Sequence, residues 1–302
     1  MNYIADAVSV VIPLYNHRRY IEEALESVLA QTKPAYEIIV VDDGSTDDSV
    51  SLVRTMARRC PDSFVVWSQP NQGAHAALNA GIARASGEYI AILNSDDAWH
   101  PDRLRQCSDA IGEAAAVATA IEFFDSTGTS MNDAFYREAR GFFDTCDDLP
   151  LALINGNFIM TTSNLFARRG AIMDAGGFSN LRYAHDLDLF LTLMANGGEF
   201  KLLDAPLLRY RRHDANTISE DVLSMKAEWA MVTAAYIWRL MQRRAMDWFW
   251  YARLTEISDK HGLTRLLIPA VAFLASLPGE KQTCNALYSH GDFARFFRGI
   301  VR

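Results

Sequence analysis

The feature that most constrains this chain is a pattern repeated through its N-terminal third. A short apolar run rich in β-branched residues ends in polar or acidic residues. Apolar positions at helical spacing then follow. The runs fall at residues 8–14 (V-S-V-V-I-P-L), 37–41, 64–67 and 89–93, and each reads as a buried strand. Between them lie Ile21, Leu25, Val28 and Leu29, then Val50, Leu52, Val53 and Met56, then the stretch 74–85. Strand and helix alternate three times before a fourth strand, with short connections. That order predicts an α/β fold with an open, mostly parallel sheet. Ligands of such sheets bind beyond the carboxyl ends of the strands. Asn16, Asp42, Asp43, Asn71, Asp96 and Asp97 all fall at those ends. Polar residues recurring at one edge point to a site more than to turn chemistry.

The sharpest of these endings is E-Y-I-A-I-L-N-S-D-D-A-W, residues 88–99. Buried carboxylates are costly unless paired or bound to a metal. Two of them at a strand edge suggest a hard divalent cation, which holds substrate phosphates with one or two protein carboxylates. Taken alone, Ser95, Asp96 and Asp97 also fit a turn and helix N-cap ahead of Pro101 and Leu104. Polar groups on several strand ends plus one cation site suit a nucleotide diphosphate. Asp42 or Asp43 can accept from a base N–H or a ribose hydroxyl. Arg211, Arg212 or His213 can add positive or donor character on the phosphate side. His185 and Asp186 at a helix start fit an N-cap. They equally fit a general base, Asp186, acting on an acceptor hydroxyl. The local sequence does not choose between the two.

Beyond residue 100 the pattern predicts a helix over 101–111 and a strand over 115–121. Residues 125–148 read as a polar excursion anchored by Phe135, Tyr136, Phe142 and Phe143. A strand over 157–166, a helix over 168–175 closed by Gly176 and Gly177, and a helix carrying Leu189, Phe190, Leu193 and Met194 come next. Short strands at 200–203 and 207–210 follow. Composition shifts near Asp214, and the division expected is a catalytic domain over 1–215 and a C-terminal helical subdomain over 216–302. Helix is expected through 219–259 and again over 263–302, with breaks at Pro269 and at Pro278 and Gly279. Trp229, Trp238, Trp248, Phe249 and Trp250 read mostly as core, with an interface or acceptor groove as the alternative. The closing F-A-R-F-F-R-G-I-V-R is basic and aromatic. It reads as a capping helix and leaves open a peripheral membrane or partner contact.

Bulk properties narrow the class. The chain has 302 residues, 50% of them hydrophobic, enough for a substantial core. A net charge of -8 argues against non-specific nucleic-acid binding. Cys60, Cys107, Cys146 and Cys284 form no CxxC and match no zinc spacing, as expected of reduced thiols. The opening M-N-Y-I-A-D-A lacks a signal-peptide pattern. The apolar run 266–277 contains Pro269 and falls short of the roughly 20 residues that span a bilayer. A cytoplasmic protein is expected, with contact at the inner membrane face left open. Neither the dinucleotide nor the P-loop glycine fingerprint is present.

At this point the residues carry a resemblance. V-S-V-V-I-P-L-Y-N, V-D-D-G-S-T-D-D-S, N-Q-G with Asn79 and Gly81, and Y-I-A-I-L-N-S-D-D come in order. T-S-N-L-F-A-R-R, G-G-F, D-L-D-L-F-L-T-L and Y-R-R-H follow. Together they resemble a family 2 glycosyltransferase of the GT-A fold, over about the first 213 residues. The resemblance implies a nucleotide-diphosphate sugar donor, a UDP-sugar favoured, and a divalent ion, Mn²⁺ or Mg²⁺. It implies hexosyl or N-acetylhexosaminyl transfer with inversion at the anomeric carbon. The acceptor is a glycan, lipid-linked or other hydroxyl, as in surface polysaccharide synthesis.

The resemblance assigns Pro13, Tyr15, Asp42, Asp43, Asn71 and Gly73 to the nucleotide pocket, with Asp43 ahead of Asp42 for the base or ribose. Asp97, first, and Asp96 become metal ligands, Asp186 the catalytic base, and His213 a histidine that approaches the metal or pyrophosphate. Two residues depart from the family pattern. Asn94 stands where many members have the first aspartate of the metal motif, and His185 replaces the usual glutamate before the base. A nucleotidyltransferase-like enzyme and an inactive sugar- or protein-binding module stay as alternatives. Oligomeric state is open.

Overall fold

The computed structural model describes residues 3–60, 62–213, 221–243 and 248–276, with positions 291 and 295. The expected repeat is present. Strands β1 (Ile4–Leu14), β2 (Glu37–Asp42), β3 (Phe64–Ser68) and β4 (Gly87–Ile92) alternate with helices α1 (Ile21–Leu29), α2 (Ser49–Ala57) and α3 (Ala74–Arg84). These four strands pair in parallel in the order β3-β2-β1-β4. Val10, Val11 and Ile12 of β1 and Ile39, Val40 and Val41 of β2 are completely buried, as expected of strands covered on both faces. Each such side chain contributes about 1.5–3 kcal/mol of burial. Because β2 and β4 flank β1, the connections diverge at the β1/β4 boundary, where open α/β sheets form a crevice.

Beyond β4 the sheet turns antiparallel and becomes mixed. β5 (Ala98–Trp99), β6 (Ala116–Asp125), β7 (Ser130–Met131), β8 (Phe166–Arg168) and β9 (Phe200–Arg212) extend it, giving the order β3-β2-β1-β4-β8-β6-β9-β5 with β7 paired to β6. Helix α4 (Arg103–Ile111) precedes β6. β9 is a single strand where two were expected. The expected gap at Asp204, Ala205 and Pro206 is a register shift against β6, since Pro206 has no N–H to give the ladder.

Two further expectations differ. The excursion over 125–148 holds β7 and one helix, α5 (Ala134–Cys146), and a second helix, α6 (Leu149–Asn155), begins directly after it. The missed signals are Asp133 and Asp148, N-caps that accept from Tyr136 N and Leu151 N. The strand expected over 157–166 is instead a loop and a 3-10 turn, Thr162–Asn164, before β8. Its hydroxyl and amide side chains bond to distant segments in place of a ladder, Thr161 and Thr162 to Asn94, Ser163 to Asp97 and Asn164 to Thr119. Helices α7 (Arg169–Asp174) and α8 (His185–Ala195) lie near their expected positions.

Three C-terminal helices follow, α9 (Val222–Gln242), α10 (Trp248–His261) and α11 (Thr264–Ser276). Pro269 sits inside α11 without breaking it. Burial of Leu267, Ala270 and Leu274, and packing on α9, outweigh the lost hydrogen bond. Pro278, Gly279 and Cys284 lie outside the described residues, as does the C-terminal stretch 293–302 apart from Arg295. The tryptophans of these helices and Phe249 are not their core, whereas Tyr236 is buried. Trp248 and Phe249 are 88% and 85% exposed, and Trp229, Trp238 and Trp250 are half-buried. Ala230, Ala234, Ala235 and Ile237 form the buried face instead. No described helix is long and apolar enough to cross a membrane.

By internal contacts the chain divides into two units. One is Met1–Asn132, Ile159–Phe178 and Gly198–His213, and it contains the whole sheet. The other is Asp133–Phe158, Ser179–Gly197 and Asp214–Arg302. The last segment of the first unit ends at His213. Residues 133–158 and 179–197 group with the later helices.

Candidate functional site

In the sheet unit, the carboxyl ends of β1, β2, β3 and β4 bring the expected residues to one edge. Pro13 is buried in β1, and Tyr15 just beyond it is 46% exposed. Asn16 adopts a left-handed conformation (φ 52°), and its Oδ1 accepts from Thr46 N at 2.7 Å. Asp42 Oδ1 accepts from Ser45 N at 3.0 Å, closing the D-D-G-S turn. Asp43 is buried and fully engaged. Its Oδ1 accepts from Gln69 Nε2 and Gln72 N, both at 2.9 Å, and its Oδ2 from Gly73 N at 2.7 Å. Asp43 thereby shapes the loop carrying Asn71 and Gly73. Gly44 (φ 78°) allows the close approach, because a Cβ there would lie 3.0 Å from Asn71 N.

Asp96 and Asp97 have opposite fates. Asp97 is 1% exposed, and both its oxygens are occupied. Oδ2 accepts from Ser163 Oγ at 2.6 Å, and Oδ1 accepts from Arg211 N at 2.9 Å. Burial, with the Asp96 charge beside it, pushes its carboxyl well above the usual range. Asp96 instead meets His213 Nε2 at 3.0 Å through Oδ2. Burial would raise its carboxyl, but the His213 hydrogen bond and the His17 and His213 imidazoles hold it below its ordinary value.

The antiparallel pairing of β5 with β9, Ala98 opposite Arg209, delivers His213 to this place. Arg211 stitches the two segments, its Nε donating to Asp96 O at 2.8 Å. Its guanidinium also pairs with Glu23 and lies over Tyr20 and Phe124. It is therefore a brace. Arg212 is exposed.

The sequence did not single out the residues around this pair. His17 Nδ1 is 2.7 Å from Ser95 Oγ, and the Tyr20 ring stacks on His213 with centroids 5.1 Å apart. Asn94 also gains a physical role. Its Nδ2 donates to Thr161 Oγ1 at 2.9 Å, while its Oδ1 accepts from Thr162 Oγ1 at 2.8 Å. A carboxamide donates and accepts at once, which an ionised carboxylate cannot. Asn94 therefore fixes the 3-10 turn behind the site.

A divalent cation fits the donor set at Asp96. Cis ligands of an octahedral ion bound at about 2.1 Å stand about 3 Å apart, and Asp96 Oδ2 and His213 Nε2 are 3.0 Å apart. No group of three or more His, Cys, Asp or Glu converges among the described residues. Such an ion would draw its other ligands from water and phosphate, as Mg²⁺ and Mn²⁺ commonly do.

The second unit holds Asp186, in the first turn of α8 and 7% exposed. Its Oδ2 accepts from Asn157 Nδ2 at 3.0 Å and its Oδ1 from Leu187 N at 2.7 Å. Burial raises its carboxyl to about 6, despite those hydrogen bonds. A carboxylate so poised takes a proton more readily near neutral pH than an ordinary one. Burial lowers the neighbouring His185 below its usual value, keeping the imidazole neutral. Asn157 falls in the strand expected over 157–166, and nothing in its local sequence marks it.

Comparison with known proteins defines the class first. TarS of S. aureus, solved in complex with UDP-GlcNAc, superposes with a TM-score of 0.63 at 21% identity, covering 98% of this chain and 82% of that one. A mannosyltransferase of Pyrobaculum calidifontis, solved with GDP-Man and Mn²⁺, gives 0.58 at 19%, covering 96% and 83%. The fold is that of a GT-A glycosyltransferase. The sequence profile of glycosyl transferase family 2 matches residues 9–174. An uncharacterized glycosyltransferase of Nostoc sp. is 32% identical over 69% of this chain and 66% of its own length. TuaG of Bacillus subtilis, named as a glycosyltransferase of teichuronic acid biosynthesis, is 30% identical over 74% and 85%. The chain belongs to glycosyl transferase family 2, and it is a glycosyltransferase.

Proposed function

We propose that the protein transfers a sugar, with inversion, from a nucleotide-diphosphate donor to an acceptor hydroxyl. The observation that carries this reading is the pairing of Asp96 with His213 at the carboxyl edge of a family 2 GT-A sheet. The Tyr15, Asp42 and Asn71–Gly73 edge receives the nucleotide, with Asp43 holding that edge in shape. Asp96 and His213 would hold Mn²⁺ or Mg²⁺, with Asp97 as the buried support of the turn. The ion would neutralise charge on the departing diphosphate.

Asp186 takes the proton of the acceptor hydroxyl as its oxygen attacks the anomeric carbon. The new C–O bond forms while the bond to the diphosphate breaks, and its electron pair leaves with the nucleotide. Asn157 orients the Asp186 carboxylate. A uridine donor is favoured, as in the TarS complex, and a saccharide or lipid-linked acceptor, as the name of TuaG suggests. The exposed Trp248 and Phe249 suit a peripheral contact with such an acceptor's membrane.

The test is a thermal-shift screen of UDP-, GDP- and dTDP-sugars with and without Mn²⁺, since any ligand of the native state stabilises it. One donor class should raise Tm, and more so with Mn²⁺. No response to any nucleotide would contradict the reading.

A further inference from the structure

Glu228, in α9, is 5% exposed. Glutamate is almost never fully buried unless it is paired. Its carboxylate accepts from three successive backbone N–H groups, all within the second unit. Oε1 takes Arg182 N at 2.9 Å, and Oε2 takes Tyr183 N at 2.6 Å and Ala184 N at 3.0 Å. Ala184 is the N-cap of α8 and offers no side-chain cap of its own. A carboxylate at this end also complements the positive pole of the helix.

We propose that Glu228 is the positioning residue for Asp186. By gripping residues 182–184 it fixes where α8 begins, and Asp186 lies two residues past that point. The grip is charge-assisted and threefold, stronger than a neutral cap. A second tie closes the same segment, Ser179 Oγ donating to Asp188 Oδ2 at 2.5 Å. Glu228 lies beyond residue 174, where the family profile stops. The C-terminal helices therefore supply part of the machinery that aims the base. This inference rests on the reading of Asp186 as the base.

The test compares the full chain with Glu228→Gln, Glu228→Ala and Asp186→Asn. Turnover is read as nucleotide release from UDP-GlcNAc with Mn²⁺, and the Asp186 carboxyl is titrated by ¹³C NMR. Misplacing a catalytic group by about 1 Å can cost about 10²-fold. Glu228→Ala should lower kcat about 10- to 100-fold with the donor KM unchanged within about twofold, and Glu228→Gln less. The Asp186 titration should move from about 6 toward the ordinary carboxylate range in both variants. Adding Glu228→Gln to Asp186→Asn should cost nothing further.

Glu228→Gln carries the test if the alanine variant does not fold. The titration needs no substrate, so it decides whichever donor is used. Wild-type titration in Glu228→Gln would overturn the proposal. So would a fall in donor binding parallel to kcat, which marks a general loss of structure. Wild-type turnover by Asp186→Asn would instead sink the base reading. An inactive Asp186→Asn beside an unaltered Glu228→Gln would sink only the positioning role.

Discussion

His213 Nε2 lies 3.0 Å from Asp96 Oδ2, joining the last residue of the sheet unit to the turn after its fourth strand. The two groups are 117 residues apart in sequence, and the β5/β9 pairing brings them together. In the proposed function a divalent cation would take the place of the hydrogen bond between them.

Asp96→Asn and His213→Ala should each weaken the Mn²⁺-dependent part of UDP binding by about tenfold or more. Asp97→Asn should retain it, because an amide can still accept from Arg211 N and donate to Ser163. Calorimetry with UDP, with and without Mn²⁺, separates the three variants. Equal loss in all of them would return the ligand role to Asp97.

Ser163→Ala tests the buried support. Ser163 Oγ donates to Asp97 and accepts from Asn94 N at 2.8 Å. Its loss leaves a buried carboxyl oxygen and a backbone N–H short of a partner, costing about 1–3 kcal/mol. Urea denaturation should show a lower midpoint at unchanged slope.

Much of the polar cluster at the strand ends was legible in the sequence because its geometry is local. β-branched runs specify parallel strands, and the chemistry must stand where those strands end. Legibility stopped where a role depends on pairing across long stretches of chain. Asp96 and Asp97 look equivalent in S-D-D-A-W, and only Ser163 and Arg211 distinguish them. Glu228 lies in an Ala-, Met- and Trp-rich helix with nothing local to set it apart. Residues 125–148 hid helix α5 because Asp133 reads as polar loop until its cap is visible, and Asp148 hid the start of α6 in the same way. The C-terminal tryptophans read mostly as core from the sequence, whereas small residues fill the close-packed face of α9.

Gly177→Ala should destabilise the sheet unit by about 1–3 kcal/mol. Gly177 has φ 74°, and a Cβ there would stand 2.5 Å from Asn79 Oδ1. That amide is already committed, exchanging two 2.8 Å bonds with the Phe178 backbone. Thermal unfolding of the variant checks this, and an unchanged Tm would contradict it.

The raised Asp186 carboxyl predicts two pH effects. Turnover should fall about tenfold per pH unit below about 6, as the proposed base is protonated. Stability runs the other way. A folded-state value above the unfolded one favours the folded protein at low pH, and that contribution is lost as pH rises through about 6. Asp186→Asn should therefore be more stable than the wild type at pH 8, by about 2–3 kcal/mol at most. The gap should close near pH 4. Paired melting curves at the two pH values measure it.

The central claim is that Asp186 takes the acceptor proton. Its most direct test is the kcat of nucleotide release by Asp186→Asn, with the donor that the thermal screen selects. A fall of about 10²–10⁴-fold is expected, with donor affinity retained. Turnover at the wild-type rate would contradict the account.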